Sequence, residues 1–191
     1  MSIVQITSIA EKSSIKILYD KVFNSNDPMG EIFQEDVSYR LLICPIPSPL
    51  LDEELLQAVA YAAKLVGDEY FYLSEVEGKS IQSFHDENHW KIHVDVTYEE
   101  YTGTTPPILF ENAIYSPSGL WGILVAHSDF AVLGGNEIFV NAIKEKYSNW
   151  VYGLDMFLKK WEFNAKHNIG DFRWMPTFFR HLKITHHFKQ P

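Results

Sequence analysis

The chain has 191 residues, 46% of them apolar and 15% aromatic, with one cysteine and a formal net charge of −9. A chain of this length buries roughly 70% of the surface its unfolded form exposes, so it needs neither a disulfide nor a metal to hold a core, and its composition excludes disorder. The acidic balance repels phosphate backbones and argues against nucleic-acid binding, no apolar run approaches the ~20 residues that span a bilayer, and the amino-terminal residues lack a signal peptide's basic start and apolar stretch, which points to the cytoplasm.

In chain order, the apolar spacing of Ile15, Leu18, Val22 and Phe23 predicts a helix from about Ser13, followed by a turn-rich stretch at 24–30. Tyr39 to Cys44 reads as a strand that Pro45 terminates. Leu50 to Val66 predicts a helix: Asp52 can cap it, Glu53 and Glu54 suit the positive end of the helix dipole, and Leu55, Val59, Ala62 and Val66 form one stripe. Residues 69–76 alternate as a strand, with Tyr70, Tyr72 and Ser74 on one face and Phe71, Leu73 and Glu75 on the other. Residues 78–88 read as a loop and Trp90 to Val96 as a strand. Ile108 to Tyr115, Leu120 to His127 and Phe130 to Leu133 predict a three-stranded antiparallel meander, its first turn being Ser116-Pro117-Ser118-Gly119. Gly134-Gly135 is expected to end the sheet and Asn136 to cap a helix carrying Phe139, Val140, Ile143 and Tyr147. A further helix carries Trp150, Leu154, Phe157, Leu158 and Trp161 on one stripe. Strands grouped together with helices outside them predict a single α+β domain spanning residues 1–191, with a mainly antiparallel sheet, a strand meander and packed helices.

No catalytic motif is specific enough to name a reaction. Cys44 reads as a buried small apolar residue. His85, His89 and His93 have the spacing of one helix face, which would suit a metal, but on a strand His89 and His93 stand roughly 13 Å apart. No metal and no cofactor is therefore expected, and His93 with Asp95 makes the better pair. A small metal-dependent hydrolase using His85, His89, His93 and Asp95 is one alternative; a non-catalytic structural or regulatory subunit is another. His127-Ser128-Asp129 holds triad residue types, but consecutive residues cannot face one another, so it reads as a turn. The acidic pairs Asp68-Glu69, Asp86-Glu87 and Glu99-Glu100 read as a solvated face.

Residues 52–100 hold twelve acidic and three basic residues, a block that would steer a basic partner. The stretch 111–123, with Trp121-Gly122 after a hairpin turn, and Gly134-Gly135-Asn136 running into Phe139 resemble the strand–strand–helix ending of bacterial immunity proteins of polymorphic-toxin and contact-dependent-inhibition systems. The resemblance covers roughly a third of the chain. It implies a protein that binds and neutralises a cognate, basic secreted toxin. Asp86, Glu87, Trp90, Tyr98, Glu99, Glu100 and Tyr101 are the expected contact residues: the charges for steering, the aromatic side chains as anchors.

Overall fold

The structure, a computed structural model, describes residues 2–46, 49–76, 81–108, 111–167 and 169–185. It is an α+β domain on one seven-stranded sheet in which every pairing is antiparallel. The strands are β1 (Ile3–Gln5), β2 (Tyr39–Ile43), β3 (Tyr70–Glu75), β4 (His89–His93), β5 (Asn112–Tyr115), β6 (Trp121–Ala126) and β7 (Phe130–Gly135), in the spatial order β1-β4-β3-β5-β6-β7-β2. The helices are α1 (Ile9–Val22), α2 (Glu53–Leu65), α3 (Tyr98–Thr102), α4 (Glu137–Lys146), α5 (Gly153–Lys166) and α6 (Met175–His181). Short 3₁₀ turns occupy Ile81–Asp86 and Ser148–Tyr152.

The sheet is covered on both faces, and strand alternation sorts its side chains into two cores. Tyr72, Tyr115, Leu124 and Val132 pack with Tyr19 of α1, Phe157 and Trp161 of α5 and Phe178 of α6. Phe71, Leu73, Ile114, Ile123 and Leu133 pack on the other side with Leu55 and Val59 of α2, Tyr101 of α3 and Phe139 of α4. Burial of both faces is why the central strands read as nearly unbroken apolar runs.

The meander β5-β6-β7 forms, its first strand starting at Asn112 and not at Ile108, and the Ser116–Gly119 turn closes with the Gly119 N–H donating to the Ser116 carbonyl at 3.2 Å. Asp52 caps α2 by accepting from the Leu55 N–H at 2.8 Å, and Asn136 caps α4 by accepting from the Phe139 N–H at 2.9 Å. Several expectations need correction. The first helix starts at Ile9, and the short strand β1 precedes it at the sheet edge. β7 runs two residues past Leu133: Gly134 and Gly135 are its last two residues, paired with Gly122 and Trp121 of β6, and the strand ends with them. Their lack of side chains serves packing, since a Cβ on Gly122 would fall 2.5 Å from the Phe23 ring and one on Gly134 2.9 Å from the Phe33 ring. Part of the expected loop at 78–88 is the 3₁₀ turn Ile81–Asp86; residues 78–80 lie outside the described ones. The strand expected to reach Val96 ends at His93. Trp150 leaves the α5 stripe: it sits in the second 3₁₀ turn, packs against the α2–α4 side, and has the Lys144 ammonium over its ring at 4.9 Å.

Candidate functional site

Helix α3 is built by local chemistry. Thr97 Oγ1 accepts from the Glu100 N–H at 3.2 Å, while the Glu100 carboxylate accepts from the Thr97 N–H at 3.0 Å, a reciprocal capping box. Glu100 also accepts from the Ser2 hydroxyl at 3.0 Å, and these hydrogen bonds, the Thr97 backbone one first, hold its carboxyl below the usual range. Tyr101, on the inner side of α3, is fully buried and its hydroxyl takes a long 3.4 Å hydrogen bond from the Leu51 N–H. Tyr98 is left at the surface, with Glu99 beside it in solvent.

Beside α3 runs a groove of about 470 Å³ between α2 and the segment 94–98. Leu56, Ala60, Val94 and Val96 supply its apolar lining, and Glu53, Gln57, Tyr61 and Tyr98 stand along it. Lys64 crosses it to bind Asp95 at 2.5 Å, which keeps the Asp95 carboxyl below the usual range. The α2 contributions fall at residues 53, 57, 61 and 64, the helical spacing of one outer face. That spacing was legible in the sequence; its meeting with residues 94–98 was not. The capping-box signature Thr97-x-x-Glu100 was also legible, and it would have located α3 and assigned Glu100 a local structural role.

The seven expected contact residues do not form one surface. Tyr98, Glu99 and Glu100 share α3 on the α2 side of the sheet. Asp86 is exposed in the 3₁₀ turn that packs through Phe84 against α1, on the opposite side. Glu87 is buried, its backbone carbonyl accepting from the Lys12 ammonium at 2.8 Å. Trp90 and Tyr101, expected as anchors, are core residues at 1% and 0% exposure and hold the fold. The acidic block 52–100 splits because β3 and β4 run through it, so consecutive segments emerge on different faces of the sheet.

The histidines are held apart as well. His89 is wholly buried, and both ring nitrogens are engaged: Nε2 lies 2.7 Å from the Phe84 carbonyl and Nδ1 2.7 Å from Ser74 Oγ. A carbonyl can only accept, so Nε2 carries the proton and Nδ1 accepts from Ser74. Ser74 in turn lies 2.9 Å from the Tyr115 hydroxyl, which donates to it. Burial pushes the His89 imidazole down to about 4. His85 meets Ser13 Oγ at 3.1 Å on the α1 side, and exposed His93 accepts from the Asp95 N–H at 3.2 Å. Among the described residues no three His, Cys, Asp or Glu side chains converge as a metal site would require. The ligand set of the hydrolase alternative is thus not assembled.

The remaining polar motifs have structural roles. Asp68 is buried, accepting from Ser116 Oγ at 2.7 Å and from the Trp121 indole at 2.8 Å. His127 lies 2.6 Å from the Glu111 carboxylate at the β6–β7 turn, where Asp129 has a positive φ of 64°. Cys44 is buried, its thiol pushed up to about 11 by desolvation. No helix among the described residues is long and apolar enough to cross a membrane. No family model, no curated protein and no solved structure matches the chain.

Proposed function

We propose that this chain is an immunity-type protein that binds and neutralises a cognate, basic bacterial toxin, and that it does so through the α2–α3 face. The observation that carries this reading is the groove of about 470 Å³ with an apolar lining, Tyr61 and Tyr98 along it, and the exposed acidic residues Glu53 and Glu99 beside it. Aromatic rings over an apolar floor supply the desolvated centre of a contact, and carboxylates around them steer a basic partner and set its orientation. The resemblance of the 111–139 region to immunity proteins supports the same class. The net charge of −9 supports a basic partner.

The test is a growth and binding assay. A candidate basic toxin domain, chosen from the products of neighbouring genes, is expressed in a bacterial host with and without this chain, and the purified pair is examined by calorimetry. Protection and binding are expected, both weakened by a Glu53→Lys/Tyr98→Ala double variant. Failure of the wild-type chain both to protect and to bind overturns the reading.

A further inference from the structure

Helix α5 faces the α1–α6 side with Phe157, Trp161 and Ala165, and its outer surface is unusual for an acidic protein. Two parallel rows run along it. One is apolar: Tyr152, at the end of the preceding turn, then Met156 and Phe163, exposed by 64%, 42% and 58%. Just past the helix end Ile169 is 52% exposed, tied back by its N–H to the Asn164 carbonyl at 2.8 Å. The adjoining row is charged: Asp155, Lys159, Glu162 and Lys166, alternating in sign and summing to zero on a chain of net charge −9. Within the row Lys159 pairs with Asp155 one turn away at 2.9 Å, so a partner copy would extend that pair into a network; neighbouring charges are engaged elsewhere, Lys160 with Asp129 and the Ser128 carbonyl, and Arg173 with Asp171.

The order acid, base, acid, base has a geometric consequence. Read backwards it becomes base, acid, base, acid, which is its own complement. When two such helices lie antiparallel about a two-fold axis, each row meets its own copy. Asp155 then faces Lys166 and Lys159 faces Glu162, at both ends of the pair. In the same register Tyr152 meets Ile169, and Met156 meets Phe163. A parallel arrangement would set like charges together. A self-complementary patch related by a two-fold is the requirement for an isologous dimer. Local neutrality removes the repulsion that two copies of an acidic protein would otherwise meet.

We infer that the outer face of α5 is a homodimer interface, occupied by the α5 of a second copy in antiparallel orientation. A single helix pair makes a small interface, so the dimer is a reversible, concentration-dependent one. The interface lies on the opposite side of the sheet from the α2–α3 face, so dimerisation leaves that face free, and the inference does not rest on the proposed function.

Sedimentation velocity on the full chain tests it, with two double variants at exposed positions whose folding is checked by circular dichroism. Asp155→Lys/Glu162→Lys makes the charged row wholly basic, and Lys159→Glu/Lys166→Glu makes it wholly acidic. The wild-type chain is expected to dimerise, each double variant to self-associate about tenfold or more weakly, and an equimolar mixture of the two variants to recover the dimer. A wild-type chain that stays monomeric up to its solubility limit overturns the inference. So do double variants that dimerise like wild type, or a mixture that fails to recover the dimer.

Discussion

Gly122 and Gly134 are cross-strand partners in β6 and β7, and the two absent side chains leave a slot on the sheet into which Phe23 and Phe33 insert. These rings stack on each other with centroids 5.7 Å apart, and they belong to the segments joined by the isolated Phe23–Phe33 bridge. The glycine pair thereby docks the end of α1 onto the sheet. A Gly122→Ala methyl would fall 2.5 Å from Phe23 and 2.7 Å from Val22. Overpacking at such a site costs about 1–3 kcal/mol. Chemical denaturation should show a lower midpoint for Gly122→Ala and for Gly134→Ala; an unchanged midpoint would mean that α1 is not seated there.

Trp161 lies in an aromatic group with Phe157, Phe172 and Trp174, its ring 5.0 Å from that of Trp174 in an edge-on arrangement. It joins α5 to the segment that leads into α6. Trp161→Ala should cost about 3–5 kcal/mol, as loss of a large buried aromatic does. A midpoint equal to that of wild type would place this stripe in solvent.

Two histidines make stability depend on pH. Burial pushes both His89 and His181 down to about 4, with the Arg40 guanidinium adding to the effect at His181. His181 Nε2 accepts from the buried Phe33 N–H at 3.0 Å, which only the unprotonated nitrogen can do. In the unfolded chain both titrate near 6.5. Between these values the unfolded state binds more protons than the folded one, so stability falls as pH drops from about 6.5 toward 4, by at most about 1.4 kcal/mol per pH unit for each histidine. Their contribution is fully present above 6.5. Replacing His89 with Gln should lower overall stability and flatten the pH dependence in that window; an unaltered slope refutes the assignment.

The division between surface and core around α3 separates two kinds of variant. Tyr98→Ala should leave stability close to wild type and, on the proposed function, speed dissociation from the proposed toxin partner about tenfold, a loss of roughly 1.4 kcal/mol. Tyr101→Ala should instead lower stability by roughly 3–5 kcal/mol, because it empties a fully buried site. Glu99→Lys should slow association at low salt and have less effect at high salt, where screening has already weakened the field. Surface kinetics at two salt concentrations, alongside denaturation, distinguish them. Identical association rates for Glu99→Lys and wild type would show that this charge does not steer.

The residues that determine α2, α4 and the β5-β6-β7 meander are neighbours in sequence. Asp52 and Asn136 cap helices whose stripes begin within a turn of them, and Ser116-Pro117-Ser118-Gly119 makes a turn between adjacent strands, so local physics alone was enough to read these elements. The Trp161 stripe was legible for the same reason, since helical spacing puts its members on one face. What the tertiary structure decided is which segments meet. β1 is only three residues long and exists because it pairs with β4, more than eighty residues away. Gly134 reads as a strand breaker in isolation and is a strand residue because Phe33 fills the space above it. Asp86 and Glu99 belong to one acidic block along the chain, yet the sheet stands between them, and Trp90 and Tyr101 became core because strand alternation and helix packing turned them inward. The α2–α3 groove has the same origin. Its two walls are each amphipathic segments that the sequence shows, and only long-range packing, which carries no local signal, sets them side by side.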